Sequence, residues 1–129
     1  VKWIAEWKKK HALNKIYNGV YAGFTHMSDK EHYGEVEYWV TPVDPYNVTG
    51  DCEDFALACR VLCRAEGYES RLVFCKTENN QGHIVLSVDG YIFDNRQRHV
   101  TTADMLNYKW IAMSGFEKDN TWHTIAEVR

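Results

Sequence analysis

The segment GHIVLSVDGYIFDN, Gly82 to Asn95, constrains the fold more than any other. Two apolar runs are separated only by Asp89 and Gly90, and an Asp-Gly pair suits the two positive-φ positions of a tight hairpin turn. The runs are therefore predicted to fold back as adjacent antiparallel strands with Val88 opposite Tyr91. That register sets Val85 against Asp94 and His83 against Arg96. Side chains of one face recur every second residue, so His83, Val85, Asp94 and Arg96 share a face. His83 and Asp94 become diagonal neighbours, with backbones about 7–8 Å apart and side chains within mutual reach. An imidazole beside a carboxylate is held in one tautomer and stabilised when protonated. Taken alone, such a pair serves equally well as a structural hydrogen bond. A slip of one residue would send the two to opposite faces and leave Asn95 as the partner.

The rest of the chain supplies what the hairpin needs to pack against. Leu13, Ile16, Tyr17, Val20, Tyr21 and Phe24 recur at spacings of three and four, as do Trp3, Ile4 and Trp7. This predicts a helix to about Met27, with a break near His11–Asn14 and an aromatic stripe that belongs to the core. From Ser28 to Thr49 the period fails; both prolines and several turn formers lie there, so a long ordered loop is expected. A loop of that length commonly walls a binding site, and Tyr38, Trp39 and Tyr46 could line it. A second helix is predicted from Gly50–Asp51 to about Glu66, with Phe55, Ala58, Cys59, Leu62 and Cys63 buried and Gly67 as its stop. SRLVFCKT reads as a strand, TTADMLNY as a short helix capped by threonine, and KWIAMSGF as a further strand. DNTWHTIAEVR carries no pattern. The expected fold class is α+β, helices on one side of an antiparallel sheet. With 129 residues the chain is one domain: a helical segment 1–27, a site-walling loop 28–49 and a core 50–129.

Composition excludes several function classes. A net charge of −3 leaves no basic footprint for nucleic acid, and Lys8–Lys10 is too short a run to make one. No apolar stretch approaches the roughly 20 residues of a membrane span. The opening VKWIAEWKKK lacks the apolar centre of a signal peptide. Val1 in place of methionine is compatible with an upstream segment having been removed. Of the four cysteines, Cys59 and Cys63 are one helical turn apart and none forms a CxxC pair. A disulfide between neighbouring turns would restrain little, so Cys59, Cys63 and Cys75 are expected to be reduced, buried hydrophobes. The remaining histidines, His11, His26, His32, His99 and His123, form no metal-spaced cluster.

Cys52 stands apart. It sits between Asp51 and Glu53, whose charge opposes ionisation, yet at a helix start, where free N–H groups favour an anion. If the acids point along other directions of the first turn, the thiol is expected to fall below its usual value. Cysteine, histidine and aspartate in this order supply a nucleophile, its base and the group that orients the base. The chemistry they suit is thiolate attack on an acyl carbon, with an oxyanion held at the helix start.

GDCEDFALACRVLCRAEGY, then GHIVLSV, then YIFDN, together with the approach EYWVTPVDPYNVTG, resembles the bacterial transglutaminase-like cysteine proteinase family over roughly Glu35 to Trp122. The resemblance implies a papain-like, transglutaminase-core fold with Cys52 as nucleophile, His83 as general base and acid, and Asp94 as orienter. Trp39 could wall the substrate cleft or assist the oxyanion site. Characterised members include calcium-dependent periplasmic proteases that clip a surface adhesin, and by analogy Asp51 and Glu53 could hold Ca2+. No cofactor is required by the chemistry itself. The expected partner is a protein or peptide substrate, with no nucleic acid and no membrane span. For want of an export signal, a cytoplasmic enzyme, bacterial or phage-encoded, is expected over a periplasmic one. Transfer to an amine, as in a transglutaminase or acyl transferase, and a non-catalytic binding module on the same fold are the competing readings.

Overall fold

The computed structural model describes residues 2–27, 42–114 and 122–124. Helix α1 (Lys2–Ala22) runs unbroken through the stretch where the sequence suggests an interruption. Within it the Asn14 side-chain oxygen accepts the Val100 N–H at 2.9 Å. Leu13, Tyr17 and Val20 are fully buried and carry the helix's packing. The stripe does not extend upstream: Trp3 and Trp7 are 71% and 64% exposed, contrary to their assignment to the core. That half of the helix meets the sheet through polar tips instead. Glu6 accepts from the Tyr91 hydroxyl, and Lys9 pairs with Asp89 in the hairpin turn.

Helix α1 stops at Gly23, where a Cβ would lie 1.8 Å from the Tyr46 carbonyl oxygen. Phe24–His26 then forms strand β1, parallel to β2 (Val48–Gly50). The sequence reading placed Phe24 in the helix and Val48 and Thr49 in the loop. A parallel pair between segments far apart in the chain leaves no local period to detect. Residues 28–41 of the site-walling loop, Trp39 and Tyr38 included, lie outside the described residues, and Tyr46 is exposed with its ring beside Gly19 of α1.

Helix α2 (Cys52–Ala65) follows immediately. Phe55, Ala58, Cys59 and Cys63 are buried, as expected, with Leu62 partly so. The chain leaves it through Gly67 at φ +86°, and Tyr68 N–H returns to the Cys63 carbonyl. Beyond it lie β3 (Arg71–Lys76), β4 (Gly82–Val88), β5 (Tyr91–Phe93), β6 (Thr101–Thr102), β7 (Lys109–Ser114) and β8 (Trp122–Thr124). They form a six-stranded antiparallel sheet in the order β6-β5-β4-β3-β7-β8. The hairpin has the predicted register, Val88 opposite Tyr91 and Leu86 opposite Phe93, with Asp89 and Gly90 both at positive φ. The threonines of TTADMLNY join the sheet, and only Ala103–Met105 turns, as one turn of 3-10 helix.

The two sheet faces are unequal. Ile84, Leu86, Val88 and Phe93 share the main core with α1 and α2. Val73, Val85 and Ile92 form a smaller cluster on the other face, with Leu106, Trp110 and Met113 packed against it. This is an α+β fold with its helices on one side. All four cysteines are free, and Cys59, Cys63 and Cys75 are buried. Burial pushes the thiols of Cys63 and Cys75 up to about 12, so they behave as small hydrophobes. Among the described residues no helix is long and apolar enough to cross a membrane.

Candidate active site

The pentad Gly50–Asp54 is a helix start in which each residue has a local task. Asp51 is the N-cap residue in extended conformation, and its N–H donates to Asp54 Oδ2 at 3.0 Å. This is the reciprocal half of a capping box, here made with aspartate. Asp54 folds back so closely that a Cβ at Gly50 would sit 2.1 Å from its Oδ2, so any other residue there would have to push the Asp54 side chain aside. Gly50 and Asp54 are thus explained by helix geometry.

Cys52 is the first helical residue, and its sulfur meets the sheet where β4 outruns β5. Pairing of the two strands ends at Leu86 and Phe93, and in the overhang the Ile84 N–H donates to Cys52 Sγ at 3.4 Å. The thiol's single proton is directed to Glu53 Oε2, also at 3.4 Å. The acids therefore do not point away from the sulfur. Donor atoms of Asp51, Cys52 and Glu53 all lie within 4.8 Å of one another. Burial, then the charge of Glu53, pushes the Cys52 thiol well up, with Asp51 adding to it and the Ile84 N–H opposing. The helix start does not by itself lower this thiol. The expectation failed because a first-turn N–H competes with a carboxylate in direct contact.

The same crowding acts on Glu53, whose carboxyl is pushed up to about 8, by burial first and then by Asp51. Asp51 Oδ1 is buried without a hydrogen-bond partner. Two carboxylates facing each other, one oxygen unpartnered, form a donor set suited to a hard cation such as Ca2+. Among the described residues no other such group occurs.

His83, the second residue of β4, lies on the Val85 side of the sheet. Its Nε2 lies 2.7 Å from Asp94 Oδ1, and both residues are buried, Asp94 completely. The diagonal contact expected from the turn is thus present, and Asn95 does not take its place. Cys52 Sγ is held by the amide of Ile84, the residue that directly follows His83 in β4. Burial alone would raise the Asp94 carboxyl. Hydrogen bonds from His83, the Tyr108 hydroxyl (2.6 Å to Oδ2) and the Arg96 N–H (2.9 Å to Oδ1) outweigh it and hold the group below its ordinary value. The Tyr17 hydroxyl donates to the Asp94 carbonyl at 2.8 Å, which fixes the strand end to α1.

Tyr108 is the residue that sequence reasoning missed. It precedes β7, far from the hairpin in the chain, and its ring meets His83 edge-on with centroids 5.8 Å apart. Arg96, placed opposite His83 by the turn, reaches outward instead to Tyr108 and Glu78. A tyrosine between a turn and a strand carries no local signal, and only the sheet order brings it to Asp94.

The family described as bacterial transglutaminase-like cysteine proteinase, BTLCP, matches residues 3–129. No curated protein sequence matches. Three solved structures of Legionella pneumophila LapG are similar. The calcium-bound form is 26% identical with a TM-score of 0.68, over 82% of this chain and 65% of that one, so the chain spans just under two thirds of that relative. A second LapG structure gives 24% identity and a TM-score of 0.71, over 90% of this chain and 68% of that one. An EGTA-treated form gives 23% and 0.68, over 92% and 73%. The likeness extends to the transglutaminase-like core of LapG.

Proposed function

The chain belongs to the bacterial transglutaminase-like cysteine proteinase family, and from that premise we propose that it hydrolyses peptide bonds with Cys52 as nucleophile, His83 as base and acid, and Asp94 as orienter. The observation that carries this is the buried His83–Asp94 pair at the start of β4, one residue from the amide that holds the Cys52 sulfur. Asp94 takes the Nε2 side of the ring, which leaves Nδ1 to exchange a proton with the thiol.

In the first half-reaction the Cys52 proton passes to His83 and the thiolate attacks the peptide carbonyl carbon. The carbonyl π pair moves to oxygen, and first-turn N–H groups of α2 stabilise that oxyanion. Collapse breaks the C–N bond, and the leaving amine takes the proton from His83, leaving a thioester on Cys52. In the second half His83 removes a proton from water as its oxygen attacks the thioester. The carbon–sulfur bond breaks, the acid departs, and the sulfur recovers its proton from His83. Asp94 remains ionised throughout and stabilises the imidazolium in each half.

We also assign Ca2+ to Asp51 and Glu53, supported by the unpartnered Asp51 oxygen and by the calcium-bound LapG among the similar structures. Bound there, the ion would supply positive charge that offsets what the two carboxylates do to the thiol.

Wild type and Cys52→Ala, incubated with a proteome-derived peptide library in calcium buffer, test the reading by mass spectrometry of new N-termini. Wild type is expected to generate them, and Cys52→Ala to lose at least about 10^3-fold of the rate. Cleavage that survives Cys52→Ala would remove the proposed nucleophile.

A further inference from the structure

The His83–Asp94 pair is closed on one side by groups the proposed chemistry does not use. Tyr108 Oη lies 2.6 Å from Asp94 Oδ2, and its ring edge meets the imidazole. The same oxygen receives Arg96 Nη1 at 3.0 Å, and the guanidinium also sits 5.5 Å from the centre of the Tyr108 ring. Arg96 is in turn held by both carboxylate oxygens of Glu78, in the turn between β3 and β4.

Proton counting gives this chain a direction. A guanidinium can only donate, so at that contact the Tyr108 oxygen accepts, and its single proton must go to Asp94 Oδ2. Asp94 Oδ1 meanwhile accepts the Arg96 backbone N–H at 2.9 Å. A carboxylate receiving donors on both oxygens acts as acceptor only, so the proton between Asp94 and His83 belongs to Nε2. The free lone pair of the neutral ring is then on Nδ1, the nitrogen that a base toward Cys52 would use.

We propose that Tyr108 is a positioning residue that fixes Asp94 as an acceptor and thereby holds His83 in its Nε2–H tautomer, with the Glu78–Arg96 ion pair setting the direction of the Tyr108 hydroxyl. This rests on the assignment of His83 as the base for Cys52. A purely structural Tyr108 would need its ring, which fills space beside His83 and Trp110, but not its hydroxyl. The hydroxyl is the part this inference depends on.

The test compares wild type, Tyr108→Phe, Arg96→Gln and His83→Ala as full chains in calcium buffer. Two readouts need no natural substrate: the rate of Cys52 alkylation by iodoacetamide at pH 7, followed by mass spectrometry, and the His83 tautomer from imidazole 15N shifts. Tyr108→Phe keeps the ring and is expected to stay folded, with a lowered melting temperature because the buried Asp94 loses a donor. Its alkylation should slow about tenfold, the size of one lost hydrogen bond to a charged group, with Nδ1–H appearing in the ring signals. Arg96→Gln, a surface change, should move both readouts the same way by less. If His83→Ala slows alkylation while Tyr108→Phe matches wild type in rate and tautomer, the positioning role is wrong and the base assignment stands. If His83→Ala alkylates like wild type, the base assignment itself fails and the inference falls with it.

Discussion

At the residue scale the central fact is a thiol whose neighbours oppose its ionisation. Cys52 donates to Glu53, and burial together with the two acids keeps its proton in place. For Cys52 to act as the proposed nucleophile, the negative charge beside it must be offset, which makes Glu53 the residue to change. Glu53→Gln keeps the shape and removes the charge. In calcium-free buffer at pH 9, above the value of about 8 to which the Glu53 carboxyl is pushed, the wild-type thiol faces an ionised neighbour. The variant should there be alkylated about tenfold faster, as one unit of thiol pKa would give. An equal or slower rate would mean that the Glu53 charge does not restrain the sulfur. Asp51 and Glu53 were legible as acids flanking a cysteine. Their convergence on the sulfur was not, because it depends on χ angles set by packing against β4.

At the element scale, the start of α2 and the start of β4 carry the candidate site. The Asp89–Gly90 turn dictates the hairpin register, and with it the meeting of His83 and Asp94. The start of α2 depends on Asp54 folding over Gly50. Gly50→Ala forces that carboxylate aside and should remove the reciprocal cap, lowering stability by about 1 kcal/mol, read from the denaturant midpoint. Because Cys52 is the next residue but one, the same change should also slow its alkylation. A midpoint equal to wild type would show that Asp54 moves without cost. The helix and the hairpin could be read in advance because caps, periods and two-residue turns are local. The β1–β2 pair and the exposure of Trp3 and Trp7 could not, since both depend on what the rest of the chain places beside them.

For the whole molecule, two buried carboxyls give stability opposite slopes with pH. Asp94 has a native value below its ordinary 3.8. Its contribution is complete above that unfolded value and is lost as pH falls through the depressed native one. Glu53 runs the other way. Its ordinary value of 4.5 rises to about 8 in the fold, so between those limits the native state holds a proton that the unfolded chain has released. Its effect is to make stability fall as pH rises through that window. In EGTA the melting temperature should therefore decline between pH 5 and 8. Millimolar Ca2+ should raise it and flatten the decline by binding the ionised carboxylates, and Glu53→Gln should abolish both effects. Identical melting curves with and without calcium across this range would argue against the ion site at Asp51 and Glu53.

What the sequence determined by itself was whatever is written in neighbouring residues: the hairpin and its register, the span of α2, and the order of cysteine, histidine and aspartate along the chain. Tertiary structure alone decided where Tyr108 and Arg96 meet Asp94, that the acids turn onto the Cys52 sulfur, and which half of α1 is buried. The reason is physical. A turn or a cap is settled by torsions and hydrogen bonds within a few residues, whereas a proton's affinity for a side chain is settled by every charge and dipole the fold brings near it.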